Sequence, residues 1–331
     1  MKSFEFASPE TEAEALEYLN THGGRTAVLA GGTDLLSLLK SDLIAPERVV
    51  DIRKISSLQG VRAEQGGVMV GALTSLHDVL RNPLLAKYHS LGHVADATHS
   101  IQVQSMGTIG GDLCHLPNCW YFRSGYGLLA MQNGESLVAT GDNRYHAILG
   151  NRGPAKFVSA SRFAPALIAW GAKVRIIGPE PDRAEFLPLE YFYISPKSPN
   201  QGVTVLKPGQ LISHIWLPPA DEVQSATYEV LQSQGLDWPL AAASVALDIE
   251  GGKVRSARVV MGHVAPIPWV SEEAASVLVG SEVSEELAAT AGDAAVAGAT
   301  PLSENGYKVQ LARTAVKRAV LRAVGQLEGG L

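Results

Sequence analysis

The chain has 331 residues, 46% hydrophobic and 18% charged, enough apolar mass for two or three packed units. Its 27 basic and 33 acidic residues leave a net charge of −6, which argues against a phosphate-backbone binder. Only Cys114 and Cys119 are present, which excludes a disulfide scaffold and any four-cysteine zinc or iron–sulfur site within the chain.

The stretch Met1 to Ala7 carries no long apolar run and reads as no signal peptide, and no segment approaches the ~18 apolar residues of a membrane span. Lys2 to Ala7 predicts a short strand. Ser8-Pro9-Glu10-Thr11 then predicts a helix start, with Ser8 as cap, running to about Asn20 with Ala15, Leu16 and Leu19 on one face. Gly23-Gly24 ends it. Arg25 to Ala30 predicts a buried strand, followed by Gly31-Gly32-Thr33-Asp34 and a helical run from Leu35 to Leu39. Val49 to Ile52 adds a strand, so the first unit alternates as an α/β unit does.

Val68 to Leu73 opens a second unit, with a helix capped by Thr74-Ser75 through Leu80 and another from Pro83 to about Ala97. Gly107 to Gly111 is a glycine-dense loop, and the stretch from Cys114 to Gly153 is polar, aromatic and poorly periodic. Regularity returns at Pro165 to Ile177, and Leu211 to Leu217 closes the unit as a strand. Ala241 to Ile249 and Lys253 to Gly262 predict a hairpin about Gly251-Gly252. An alanine-rich helical region follows, with breaks near Gly280 and Gly298. The last helix, about Tyr307 to Val324, stripes Val309, Ala312, Val316, Ala319 and Ala323. Its Lys308, Arg313, Lys317, Arg318 and Arg322 are expected on a solvated face.

Two loops carry the chemistry. Leu29-Ala30-Gly31-Gly32-Thr33-Asp34-Leu35 sits where a strand enters a helix, where glycines let backbone N–H groups approach a phosphate. It is neither the dinucleotide G-x-G-x-x-G fingerprint nor a P-loop. Gly107-Thr108-Ile109-Gly110-Gly111-Asp112 repeats the arrangement of Thr beside a Gly pair. Two such loops on separate units could hold one pyrophosphate between them.

This pairing resembles the flavin-binding medium subunit of the xanthine dehydrogenase family of molybdenum hydroxylases. The likeness extends over nearly the whole chain, through Ala164 to Ala169, Leu211 to Pro218, Tyr228-Glu229-Val230, Asp237 to Leu240 and Gly262 to Trp269. It implies an α+β protein: two small α/β subdomains forming a vanillyl-alcohol-oxidase-type FAD-binding domain, then a C-terminal subdomain of antiparallel sheet and helices. The expected bounds are 1–57, 58–221 with the aromatic loop 114–153, and 222–331. Residues 29–35, 107–112 and Ile212 are the implied FAD contacts, with no catalytic residue and no metal ligand in the chain.

Cys119-Trp120-Tyr121-Phe122-Arg123 and Asn143 to Ile148 narrow the likeness to the aromatic-acyl-CoA reductase and aldehyde oxidoreductase branches. There this loop carries four cysteines that hold a [4Fe–4S] cluster. Here only Cys119 is kept, the other places falling around Leu129, Val138 and Ala155, so no cluster is expected. Two departures touch the flavin: the family's Ser-Asp reads Ser161-Arg162, and a family Lys falls at Glu229.

The histidines point to no metal, since His89, His93 and His99 lack a carboxylate partner and Cys114-His115 with Cys119 match no standard zinc spacing. His146 reads as structural. The resemblance implies electron relay by FAD. Electrons would pass between [2Fe–2S] clusters of a small subunit, partnered with a molybdenum-cofactor large subunit, and an acceptor such as NAD, quinone or ferredoxin. Cytoplasm is the expected compartment, with export on a partner's signal as the alternative. The competing reading is a structural subunit of the same complex that has lost flavin. A standalone flavin oxidase would carry a substrate cap that this final third is too short to supply.

Overall fold

The computed structural model describes residues 1–180, 182–233 and 237–327. The remaining residues of the expected C-terminal unit, 234–236 and 328–331, lie outside the described residues.

A first helix, Glu12–Leu19, buries Ala15, Leu16 and Leu19 as their spacing predicts. Its cap is Thr11, whose hydroxyl accepts from the Glu14 N–H; the chain enters the helix three residues later than the Ser8 reading. The helix packs on a parallel sheet of β1 (Glu5–Ala7), β2 (Thr26–Leu29) and β3 (Arg48–Asp51), in the order β1-β3-β2.

The second sheet is antiparallel throughout. It holds β4 (Val61–Glu64) and β5 (Gly67–Gly71). A two-residue pair, β6 (Met131–Gln132) and β7 (Glu135–Ser136), interrupts the aromatic loop. The sheet resumes with β8 (Lys173–Ile177), β9 (Ala184–Pro188) and β10 (Leu211–Leu217), in the order β4-β5-β10-β8-β9. The helix Phe163–Ala169 is buried at every position and joins this sheet's core to that of the next. Such all-round burial explains why an unbroken apolar run, Phe163 to Ile168, forms a helix with no polar face.

The third sheet comprises β11 (Val223–Val230), β12 (Ala241–Glu250), β13 (Lys253–Gly262) and β14 (Trp269–Val270). The predicted hairpin is β12–β13, turning through Gly251 and Gly252, both at positive φ. Strand β11, which the sequence reading passed over, pairs with β12 along its whole length.

The final helix, Tyr307–Ala323, packs Ala312, Ala315, Val316, Ala319 and Val320 on this sheet. Its expected solvated face is corrected in part. Arg313 and Lys317 do reach out to Asp293 and Glu285. Lys308 is 1% exposed, Arg318 donates to the Tyr228 hydroxyl, and Arg322 donates to the Thr227 carbonyl. The stripe is wider than the apolar residues show, because long basic side chains can bury their stems. Among the described residues, no helix is long and apolar enough to cross a membrane.

Candidate functional site

The two glycine loops meet backbone to backbone. A methyl group on Gly31 would lie 1.8 Å from the Met106 carbonyl oxygen and 3.2 Å from the Gly107 Cα, so only glycine permits this approach. Gly32, at φ +72, turns the chain out of β2 toward the helix Leu35–Lys40. On the facing side, a methyl on Gly110 would meet the Ala72 Cβ at 2.7 Å and its carbonyl at 2.9 Å.

The loops differ in their hydrogen bonding. The N–H groups of Ile109, Gly110 and Asp112 donate to Thr74, Ala72 and Thr108 carbonyls, and Gly111 N–H donates to the Thr108 hydroxyl at 3.1 Å. Among the described residues, no protein acceptor receives the N–H of Gly31, Gly32, Thr33 or Asp34. A run of backbone donors without partners at a strand-to-helix turn suits an anion.

Between the loops lies a cleft of about 220 Å³. Of the expected contacts, Ala30 to Leu35, Thr108, Gly110, Gly111 and Ile212 line it. Gly107 and Asp112 line an adjoining chamber of about 200 Å³, which shares Thr33, Thr108, Gly111 and His115 with the cleft. Leu29 and Ile109 line neither, and Ile109 is fully buried in the core.

Two acidic residues of the loops have their carboxylates engaged within the protein. Asp112 accepts from the Ser161 hydroxyl at 2.5 Å, Phe163 N–H at 3.0 Å and Arg162 N–H at 3.2 Å, which anchors the start of the helix Phe163–Ala169. Burial pushes its carboxyl above the ordinary carboxylate range, against the pull of those three donors. Asp34 accepts from Arg123 Nη1 at 2.8 Å and Leu116 N–H at 3.2 Å. Its side chain ties the first loop to the aromatic loop.

Arg162 and Glu229 form one ion pair: Arg162 Nε donates to Glu229 Oε1 at 3.1 Å, and Nη2 to Oε2. Their side chains are 11% and 3% exposed, and Arg162 lines the adjoining chamber. The two departures from the family pattern are therefore one compensated arrangement in which each charge answers the other. The same chamber is lined by Trp238, which meets the His115 ring edge-on at 4.8 Å. Neither residue was among the expected contacts; the only signal for them was their place beside a loop cysteine and within the Asp-Trp-Pro-Leu segment.

In the aromatic loop, Cys119 packs beside a small core of Leu129, Ala155, Phe157 and Val203, and Val138 is buried nearby in sequence. Leu129, Val138 and Ala155, near the places the sequence reading gave to the missing cysteines, thus carry apolar packing. Cys119 Sγ lies 3.1 Å from His146 Nε2. Burial raises the thiol and pulls His146 down to about 4, so both are neutral near pH 7. Among the described residues, no group of three His, Cys, Asp or Glu could hold a metal ion.

Residues 2–220 match the FAD binding domain in molybdopterin dehydrogenase, and residues 226–323 match the CO dehydrogenase flavoprotein C-terminal domain. The carbon monoxide dehydrogenase medium chain of Afipia carboxidovorans is 29% identical over 97% of this chain and 96% of its own length. The aldehyde oxidoreductase FAD-binding subunit PaoB of Escherichia coli is 27% identical over 98% of this chain and 100% of its own. Among solved structures, carbon monoxide dehydrogenase from Hydrogenophaga pseudoflava superposes with a TM-score of 0.76 at 26% identity, covering 98% of both chains.

Proposed function

This chain belongs to the FAD-binding medium subunits of the molybdenum hydroxylase family, the flavoprotein components of oxidoreductases, and we propose that it relays electrons inside such a complex. In this reading a partner subunit delivers electrons through [2Fe–2S] clusters, a molybdenum-cofactor large subunit carries the substrate, and an external acceptor receives the electrons. Bound FAD supplies the step between two-electron and one-electron carriers.

The carrying observation is the free N–H run from Gly31 to Asp34, packed against the second glycine loop. These donors fit the diphosphate, and the missing side chains at Gly31 and Gly110 let the loops pack closely enough to present them. Thr108, Gly111 and Ile212 complete the walls. Asp112 acts from behind by fixing the helix Phe163–Ala169, and Arg162 lines the next chamber with its charge answered by Glu229. Leu29 and Ile109 support the loops as packing. We assign the three sequence units to these roles with bounds 1–57, 58–221 and 222–331, and place the complex in the cytoplasm.

The visible spectrum of the purified chain tests this reading. Flavin absorption bands at one FAD per chain are expected. A colourless protein that still joins its partner subunits would overturn FAD binding and favour a purely structural subunit.

A further inference from the structure

Both phosphates of FAD are negatively charged, and the cleft meets them without a lysine or an arginine. Among the described residues that line it, the ionisable side chains are Asp34, Cys114 and His115. A carboxyl and a thiol supply no positive charge in either protonation state. The backbone N–H groups from Gly31 to Asp34 supply partial charges only. His115 is the lining side chain that can become a cation near neutral pH.

Its place in the fold suits that charge. His115 lines both the cleft and the adjoining chamber, together with Thr33 of the first loop and Thr108 and Gly111 of the second. It therefore stands where the two spaces join. Its Nδ1 lies 2.7 Å from the Leu116 carbonyl oxygen and 3.6 Å from Asp34 Oδ2. A carbonyl only accepts, so Nδ1 carries the hydrogen, and in the neutral ring Nε2 keeps its lone pair. Nε2 has no protein partner among the described residues, and it is not among the buried ring nitrogens sealed from solvent. A lone pair repels a phosphate oxygen. A proton on Nε2 turns the same atom into a charge-assisted donor.

Charged and titratable groups face the ring from several elements. Asp34 approaches from the first loop, with Arg123 of the aromatic loop bonded to it at 2.8 Å and to the Leu116 carbonyl at 3.0 Å. Asp112 and Asp237 line the adjoining chamber, as does Arg162, whose charge is answered by Glu229. Trp238 meets the ring edge-on, and beyond it His263 is held neutral by burial. An incoming diphosphate brings more negative charge than any one of these groups, and a nearby anion favours the charged form of an imidazole.

We propose that His115 takes up a proton as FAD binds and faces the diphosphate as an imidazolium, so that cofactor loading weakens as the pH rises. The role of His115 rests on the FAD reading above and gives the phosphates a charge partner. One proton leaves the solvent, one N–H bond forms at Nε2, and no electron moves.

The full-length chain freed of flavin is titrated with FAD by calorimetry at about pH 7.5 in two buffers of different ionisation enthalpy, which counts the protons directly. Uptake approaching one proton per FAD is expected. The Kd should rise by up to about tenfold per pH unit between about pH 7 and pH 8.5. His115→Gln keeps a hydrogen-bond donor without a charge, and should bind FAD with no proton uptake and a flat pH profile. His115→Lys, a fixed cation, should be equally flat and bind more tightly than His115→Gln. FAD binding by the wild-type chain without proton uptake overturns the inference, and so does uptake that survives in His115→Gln. No FAD binding at any pH defeats the FAD reading, and the role of His115 with it.

Discussion

In the cleft between the two N-terminal sheets, the decisive contacts run from backbone to backbone, Gly31 against Met106 and Gly110 against Ala72. In the segment from Cys114 to Gly153 they run between side chains, through Cys119 and His146, Arg123 and Asp34, and the apolar group around Phe157. The first kind of site tolerates almost no substitution, because a Cβ cannot move away from a carbonyl oxygen. The second tolerates exchange of one side chain for another of suitable volume, because its neighbours can repack. A site made of glycines can stay legible in a diverged sequence, whereas a site made of side chains can be rebuilt for another purpose.

The largest expected effect tests the backbone-built site. Gly31→Val should abolish FAD retention and destabilise the chain by about 3 kcal/mol or more, since the clash is with main chain and cannot be relieved by a rotamer. The ratio of flavin to protein absorbance and a denaturant melt measure the two effects. A full flavin complement in this variant would show that the loops do not meet as described.

The buried ion pair should show a stability effect of similar size, without the loss of flavin. Arg162→Met or Glu229→Met alone should cost about 3–5 kcal/mol by stranding a buried charge, while the double replacement should recover most of that loss. A double-mutant cycle by chemical denaturation gives the coupling, and additive single effects would mean that the two residues act independently.

Acid sharpens the comparison from the side-chain region. His146 and His263 have folded-state values near 4 and 3, below the unfolded value of 6.5. The unfolded chain therefore binds more protons in this window, and stability is full above pH 6.5 and falls as the pH drops toward 4. The slope should approach about 1.4 kcal/mol per pH unit for each histidine. Melts between pH 7 and pH 4 should show His263→Phe flattening this dependence; an unchanged slope would mean that His263 is protonated in the native state.

The smallest effect is expected at Cys119. Cys119→Ser should shift stability by only about 1 kcal/mol, the scale of a modest polar contact, and elemental analysis of the wild-type chain should find no iron. Stoichiometric iron lost on this substitution would show that a cluster persists with unusual ligands.

Much of the architecture was open to reading from the residues. Alternation placed the first sheet, Gly251-Gly252 placed the β12–β13 turn, and alanine spacing placed the final helix to within a residue. What escaped was information spread between distant positions. Arg162 and Glu229 read singly as two losses, and only their approach across 67 residues shows them as one pair. Lys308 reads as surface charge because charged residues usually are; its three carbonyl acceptors come from two separate segments that no local pattern brings together. Strand β11 escaped because its Gln-Ser-Ala-Thr core is weakly apolar, although β12 and helices on the other side bury it.

The bond from Arg123 to Asp34 has a thermodynamic consequence. It fastens the aromatic loop to the turn that presents the four free N–H groups, with Leu116 N–H as a second fastening on the same carboxylate. Two binding events that share such a joint are coupled when either one changes the joint's geometry or stiffness. If occupation of the turn stiffens the loop, then a subunit docking on the loop must tighten the hold on the cofactor by the same factor, since linkage is reciprocal. Assembly of the complex and loading of the cofactor would then be a single coupled equilibrium, and Arg123→Ala would weaken the coupling while also leaving the Asp34 carboxylate in the cleft without its cation.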